Sequence, residues 1–108
     1  MKKTIYIAGK VTGEPMAECS MKFGAQEKAL KDLGFQAINP LTEVVDYRTP
    51  WNEAMKICIK SLMTADAVLA LPCSANSKGA QLEIKLCADL GIPVFISVET
   101  LKKAFKKN

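Results

Sequence analysis

The sequence predicts an α/β fold with one parallel sheet and helices on both of its faces. Three observations predict it. Short apolar runs alternate with longer amphipathic stretches, in the order strand, helix, repeated four times. The run Ala67-Val-Leu-Ala-Leu71 is continuously apolar and of strand length, which suits a strand buried on both faces. Gly34 and Gly91 each close a helical pattern just before a new apolar run. Such a chain forms a three-layer sandwich of the flavodoxin-like or Rossmann-like kind, with a parallel sheet of four strands, or five. The expected strand order is second, first, third, fourth, with a switch point between the first and third strands.

Thr4 to Ala8 is the first strand. Gly9-Lys-Val-Thr-Gly13-Glu-Pro15 is the loop after it. A helix runs from Met16 or Ala17 to Leu33, with Cys19, Phe23, Leu30 and Leu33 on its buried side. Gln36 to Ile38 is the second strand, closed by Asn39-Pro40. Residues 41 to 49 show no periodicity and read as a loop that holds Asp46, Tyr47 and Arg48. Thr49 caps the next helix, with Pro50 at its first position and Trp51 directly after. Met55, Cys58, Ile59, Leu62 and Met63 form its apolar stripe. The third strand, Ala67 to Leu71, leads through the polar loop Cys73 to Ser77 into a helix capped by Ser77. Ala80, Ile84, Cys87, Ala88 and Leu90 give that helix its period. Pro93 prevents its return, Val94 to Ile96 is the fourth strand, and residues 99 to 106 form a last amphipathic helix.

The 108 residues suit one domain, 1–108, and 49% of them are hydrophobic, enough for a core. The net charge of +4 equals the charge of Lys102, Lys103, Lys106 and Lys107, since the other eleven basic residues balance eleven acidic ones. That is a basic tail, not a nucleic-acid-binding face. There is no histidine, and Cys19, Cys58, Cys73 and Cys87 contain no C-x-x-C pair. A zinc site of the usual spacing is excluded, as is Ser-His or Cys-His catalysis. Three of the cysteines fall on apolar helical faces, as reduced thiols do in a cytoplasmic protein. No stretch reads as a signal peptide or a membrane span.

Glu83 shares a stripe with Ala80, Cys87 and Leu90. It is either a solvated first-turn glutamate or a carboxylate placed for chemistry. Burial would raise its pKa, and the helix N-terminus would lower it. In parallel sheets the ligand crevice lies beyond the C-terminal strand ends. The topology brings the Gly9–Gly13 loop to that crevice, beside the Cys73–Glu83 segment. Backbone amides of such a loop suit a phosphate, although the Gly-Lys-Ser/Thr ending of a Walker loop is missing. Trp51 is either core or the wall of a pocket.

Ile5-Tyr-Ile-Ala-Gly9, Thr12-Gly13-x-Pro15, Asn39-Pro40, Pro50-Trp51 and Ser77-x-Gly79-Ala80-x-x-Glu83 occur in that order. The set resembles a family of small bacterial and phage proteins that looks like a branch of the nucleoside 2-deoxyribosyltransferase superfamily. The resemblance implies cleavage of the N-glycosidic bond of a nucleoside or nucleotide, without a cofactor, by a homo-oligomer. It makes Glu83 the nucleophile that forms a glycosyl-enzyme, and Tyr6 the residue that orients it. Ser77 resembles the branch that hydrolyses deoxynucleoside monophosphates, where a serine there helps hold the phosphate; the alternative is a helix cap alone. Together these readings make Glu83 and Tyr6 the catalytic pair, and Gly9, Lys10, Thr12, Gly13, Trp51, Ser77 and Gly79 the substrate contacts. One residue departs from the pattern. Cys58 stands where related sequences carry an aspartate that contacts the sugar, so a nucleotide- or phosphosugar-binding protein is the second reading. Asp66 matches an aspartate that opens the third strand, read as structural.

Overall fold

The computed structural model describes residues 2–44, 46 and 48–105. Four strands form one all-parallel sheet: β1 (Thr4–Ala8), β2 (Gln36–Ile38), β3 (Ala67–Ala70) and β4 (Val94–Phe95), in the order β2-β1-β3-β4. Tyr6 pairs with Ile38 on one side and with Val68 on the other. Val68 in turn pairs with Val94. The expected order and switch point are both present.

Alternation along the strands sorts the core into two halves. Ile5, Ile7, Ala67 and Leu69 point to one face, where they meet Cys19, Phe23 and Leu30 of α1 (Met16–Asp32). Leu101 of α5 (Val98–Ala104) packs into the same half. Tyr6, Ala8 and Val68 point to the other face. They meet Cys58 and Leu62 of α3 (Trp51–Leu62), and Ala80 and Cys87 of α4 (Lys78–Leu90). The result is the three-layer sandwich. Among the described residues, no helix is long and apolar enough to cross a membrane.

The ends of α4 follow their sequence signals. Ser77 Oγ accepts a hydrogen bond from the Ala80 N–H at 3.1 Å. Gly91 adopts φ 74°, a left-handed conformation that glycine reaches without steric cost. Asp66 is the structural residue expected: its Oδ2 accepts the Thr4 N–H at 2.8 Å and fixes the start of β1 against β3.

Several expectations need correction. Residues 41 to 49 are not all loop, because Pro40–Glu43 is a one-turn helix, α2. Asn39 caps it by accepting the Leu41 N–H at 2.9 Å, with proline in the first turn. Tyr47 lies outside the described residues. Thr49 does not cap α3: its hydroxyl donates to the Asp46 carbonyl at 2.6 Å, and Pro50 occupies the cap position. The segment after β3 is not an open loop but a 3-10 helix, Pro72–Asn76, opened by its proline. Leu33, Met63, Ala88 and Leu90 are exposed, since the ends of α1, α3 and α4 run past what the sheet covers. β4 ends at Phe95 and leaves Ile96 exposed, because the chain turns there toward Ser97, the cap of α5. The last helix spans Val98–Ala104; Lys106 and Lys107 lie outside the described residues.

Candidate active site

A cavity of about 660 Å³ opens at the C-terminal edge of the sheet, beside the ends of β1 and β2. That volume suits a small-molecule ligand. The sheet supplies Tyr6 to it, and α3 and α4 supply the walls.

The helices reach the cavity through stripes that overhang the sheet. Trp51, Met55, Cys58 and Leu62 recur at helical spacing on one side of α3. Leu62 is sealed against the sheet, whereas Cys58, though nearly buried, lines the cavity with Met55 and Trp51. Trp51 is therefore a wall and not core; it is 38% exposed, and Lys78 Nζ stands 4.6 Å from its ring centroid. On α4 the stripe Ala80, Glu83, Cys87 divides in the same way: Cys87 is sealed in the core, while Ala80 and Glu83 also line the cavity.

Glu83 is 5% exposed. The Tyr6 hydroxyl, itself buried, donates to Glu83 Oε2 at 2.6 Å. Among the described residues Oε1 has no hydrogen-bond partner. Burial pushes the Glu83 carboxyl up from 4.5 to about 7, although the Tyr6 hydrogen bond favours the ionised form. Burial also pushes the Tyr6 hydroxyl far above its ordinary value, and the Glu83 charge adds to that, so tyrosine remains the donor. Cys58 closes the same corner at 7% exposure; burial raises its thiol pKa, and the nearby Glu83 charge adds to this. The arrangement offers one carboxylate with one oxygen held and the other free, and it ionises near neutral pH.

Gly9, Thr12, Gly13, Trp51, Ser77 and Gly79 all line the cavity with the Tyr6–Glu83 pair. Gly79 permits the close approach of α4 to α3: a Cβ there would stand 2.9 Å from Met55 Sδ. Gly9 is closed in likewise, by the Phe23 ring at 3.0 Å and Leu71 at 3.1 Å from its would-be Cβ. Lys10 is not brought to the site. Its N–H donates to Cys73 Sγ at 3.2 Å, and its carbonyl accepts from Lys22 Nζ at 3.5 Å. No lysine or arginine lines the cavity among the described residues, so an anion there would meet amides and hydroxyls.

Sequence reasoning missed Glu14, Met16 and Ser20 on one wall, and Leu41 and Val44 on another. Glu14 is the one other carboxylate in the lining among the described residues. The α2 wall had a signal: asparagine followed by proline is a cap and a first helical residue. Glu14 had none, because its position depends on how the loop folds over α1. Among the described residues, no three His, Cys, Asp or Glu side chains gather as a metal-binding group.

The fold and the site together define a parallel α/β protein with a carboxylate-bearing cavity at its switch point. The family described as a domain of unknown function (DUF4406) matches residues 3–96. The chain belongs to that family. No curated protein matches the sequence, and no solved structure matches it.

Proposed function

We propose that this protein cleaves the N-glycosidic bond of deoxynucleosides or their 5′-monophosphates through a covalent glycosyl-glutamate. The observation that carries the reading is the buried Tyr6–Glu83 pair on the cavity wall, with its 2.6 Å hydrogen bond. Tyr6 holds Oε2, which leaves Oε1 to attack C1′ of the sugar. The C1′–O bond forms as the C1′–N bond breaks. The electron pair goes to the departing base, which takes a proton from water. A second water then attacks C1′, frees the sugar and returns Glu83 as a carboxylate. No metal is needed, because a carboxylate is nucleophilic enough for an oxocarbenium-like centre. The attacking form is the ionised one, so the rate rises with pH through about 7. Trp51 offers a flat face for the base. Ser77, Thr12 and the loop amides offer donors to a phosphate.

A second reading rests on Cys58. A mostly protonated thiol at this buried corner neither holds sugar hydroxyls firmly nor passes protons as a carboxylate does. The same cavity would then bind a nucleotide or phosphosugar with little turnover.

Incubation with deoxynucleosides and their monophosphates, followed by chromatography for free base, tests both. Base release that drops about a thousandfold or more in Glu83→Gln supports the enzyme. A ligand-dependent rise in melting temperature without base release supports the binding protein. Neither response to any nucleoside, nucleotide or phosphosugar rejects both readings.

A further inference from the structure

The cavity carries a second carboxylate beside the Tyr6–Glu83 pair. Glu14 directly follows the Gly9–Gly13 loop and lines the same cavity. Gly13, at φ 83°, closes the turn in which the Glu14 N–H donates to the Val11 carbonyl at 3.1 Å. The carboxylate is half-buried, and Lys22 Nζ stands 3.7 Å from its Oε1, beyond hydrogen-bond distance. Lys22 is held elsewhere: it donates to Cys73 Sγ at 3.1 Å and to the Lys10 carbonyl at 3.5 Å. Among the described residues, neither side-chain oxygen of Glu14 accepts a hydrogen bond.

A second observation at the same cavity points to a ligand. Glu83 is 5% exposed, and its Oε1 has no partner among the described residues, although its Oε2 accepts from Tyr6. Both carboxylates in the lining therefore keep acceptors open. A neutral hydroxyl donates to a carboxylate. A phosphate dianion has no proton to donate and is repelled by the like charge. The Thr12 and Ser77 hydroxyls, also in the lining, both donate and accept, so they serve a neutral sugar as well as an anion. The nearby ammonium groups do not line the cavity: Lys22 faces Glu14, and Lys78 stands over the Trp51 ring.

We propose that Glu14 sets the charge of the ligand that this site accepts. It admits uncharged deoxynucleosides, whose 5′-hydroxyl donates to its carboxylate, and turns away their 5′-monophosphates. The proposal rests on the reading of the cavity as a nucleoside site, and it chooses between the two ligand classes that this reading leaves open. Glu14 acts on binding; bond cleavage remains with Glu83.

The test pairs each common deoxynucleoside with its 5′-monophosphate and reads apparent affinity from the rise in melting temperature of the wild-type protein. Chromatography of the same samples for free base tests the enzyme reading separately. At least one deoxynucleoside should bind wild type about tenfold more tightly than its monophosphate. In Glu14→Gln the monophosphate should gain about tenfold, while the nucleoside loses about threefold at most. Added salt should narrow the wild-type preference and change that of Glu14→Gln little, a response that a merely structural role would not give. Glu18→Gln, at an exposed position of α1 outside the lining, should keep the wild-type preference. A monophosphate that binds wild type as tightly as its nucleoside overturns the proposal and leaves the enzyme reading intact. So does a folded Glu14→Gln protein that keeps the wild-type preference. Nucleoside preference without free base supports the proposal and rejects the enzyme reading. No response to either ligand class overturns the proposal, whatever the chromatogram shows.

Discussion

Glu83 links the stability of the protein to its chemistry. Its folded pKa of about 7 stands above the ordinary value of 4.5. A carboxyl with a raised folded pKa stabilises the fold fully below its unfolded pKa. That contribution falls as pH rises from about 4.5 and is gone above about 7. The difference amounts to about 3 kcal/mol. Wild-type protein should therefore lose stability between pH 4.5 and 7, read as a falling melting temperature. Glu83→Gln keeps an acceptor for Tyr6 and removes the charge, so its melting temperature should be flat over that window and above wild type at pH 8. A wild-type curve as flat as that of the variant would mean that Glu83 ionises normally.

Cys58 is the neighbouring test. An aspartate at 7% exposure, close to Glu83, adds a second carboxylate to a nearly dry corner. Cys58→Asp should melt several degrees below wild type, most strongly above pH 7. Under the enzyme reading it should also release base faster, because the sugar regains a strong acceptor. A folded variant with no gain in rate would favour the binding protein.

At the scale of elements, the site depends on where α4 begins. Ser77 caps that helix and also lines the cavity. Loss of its hydroxyl in Ser77→Ala should cost about 1 kcal/mol of stability through the cap. If the serine also meets a phosphate, affinity for monophosphates should fall further than affinity for nucleosides. Calorimetric titration with both ligand types separates the two roles; an equal loss for both leaves Ser77 as a cap only. The 3-10 helix and α2 are the elements that periodicity does not reveal. Each is a single turn or little more, too short for hydrophobic periodicity to register. Their evidence lay in Pro72 and in Asn39-Pro40, which are local turn signals.

At the scale of the whole molecule, the sheet separates the two halves of the core, and the α2 segment touches both, Leu41 packing on one and Val44 on the other. The family match ends at residue 96, yet Leu101 of α5 is fully buried against Ile5, Ile7 and Leu69. Phe105 meets Phe35 and Phe95 edge-on, with ring centroids 5.8 and 5.9 Å away. The last helix is thus part of the folding unit. Leu101→Ala should destabilise the protein by roughly 2–5 kcal/mol in urea unfolding, with a single transition for both faces of the sheet. A change below about 1 kcal/mol would show that α5 can leave without disturbing the core.

The sequence by itself determined the strand order, the two-sided sheet and the cap at Ser77, through local periodicity, the topology of parallel crossovers and the capping residue. The meeting of Tyr6 with Glu83 was legible only through the family resemblance that the motifs carry. Only the tertiary structure decided which residues on a stripe are core and which are wall. Trp51, Met55, Cys58 and Leu62 look equivalent along α3, because helical spacing records the direction of a side chain and not what lies opposite it. The edge of the sheet draws that line, sealing Leu62 and leaving Trp51 over the cavity. The same holds for Lys10: its place in a glycine loop suggests a ligand contact, but it is not among the residues that line the cavity, and its backbone bonds to Cys73 and Lys22 instead. Those partners lie 63 and 12 residues distant in the chain, and only folding brings them together.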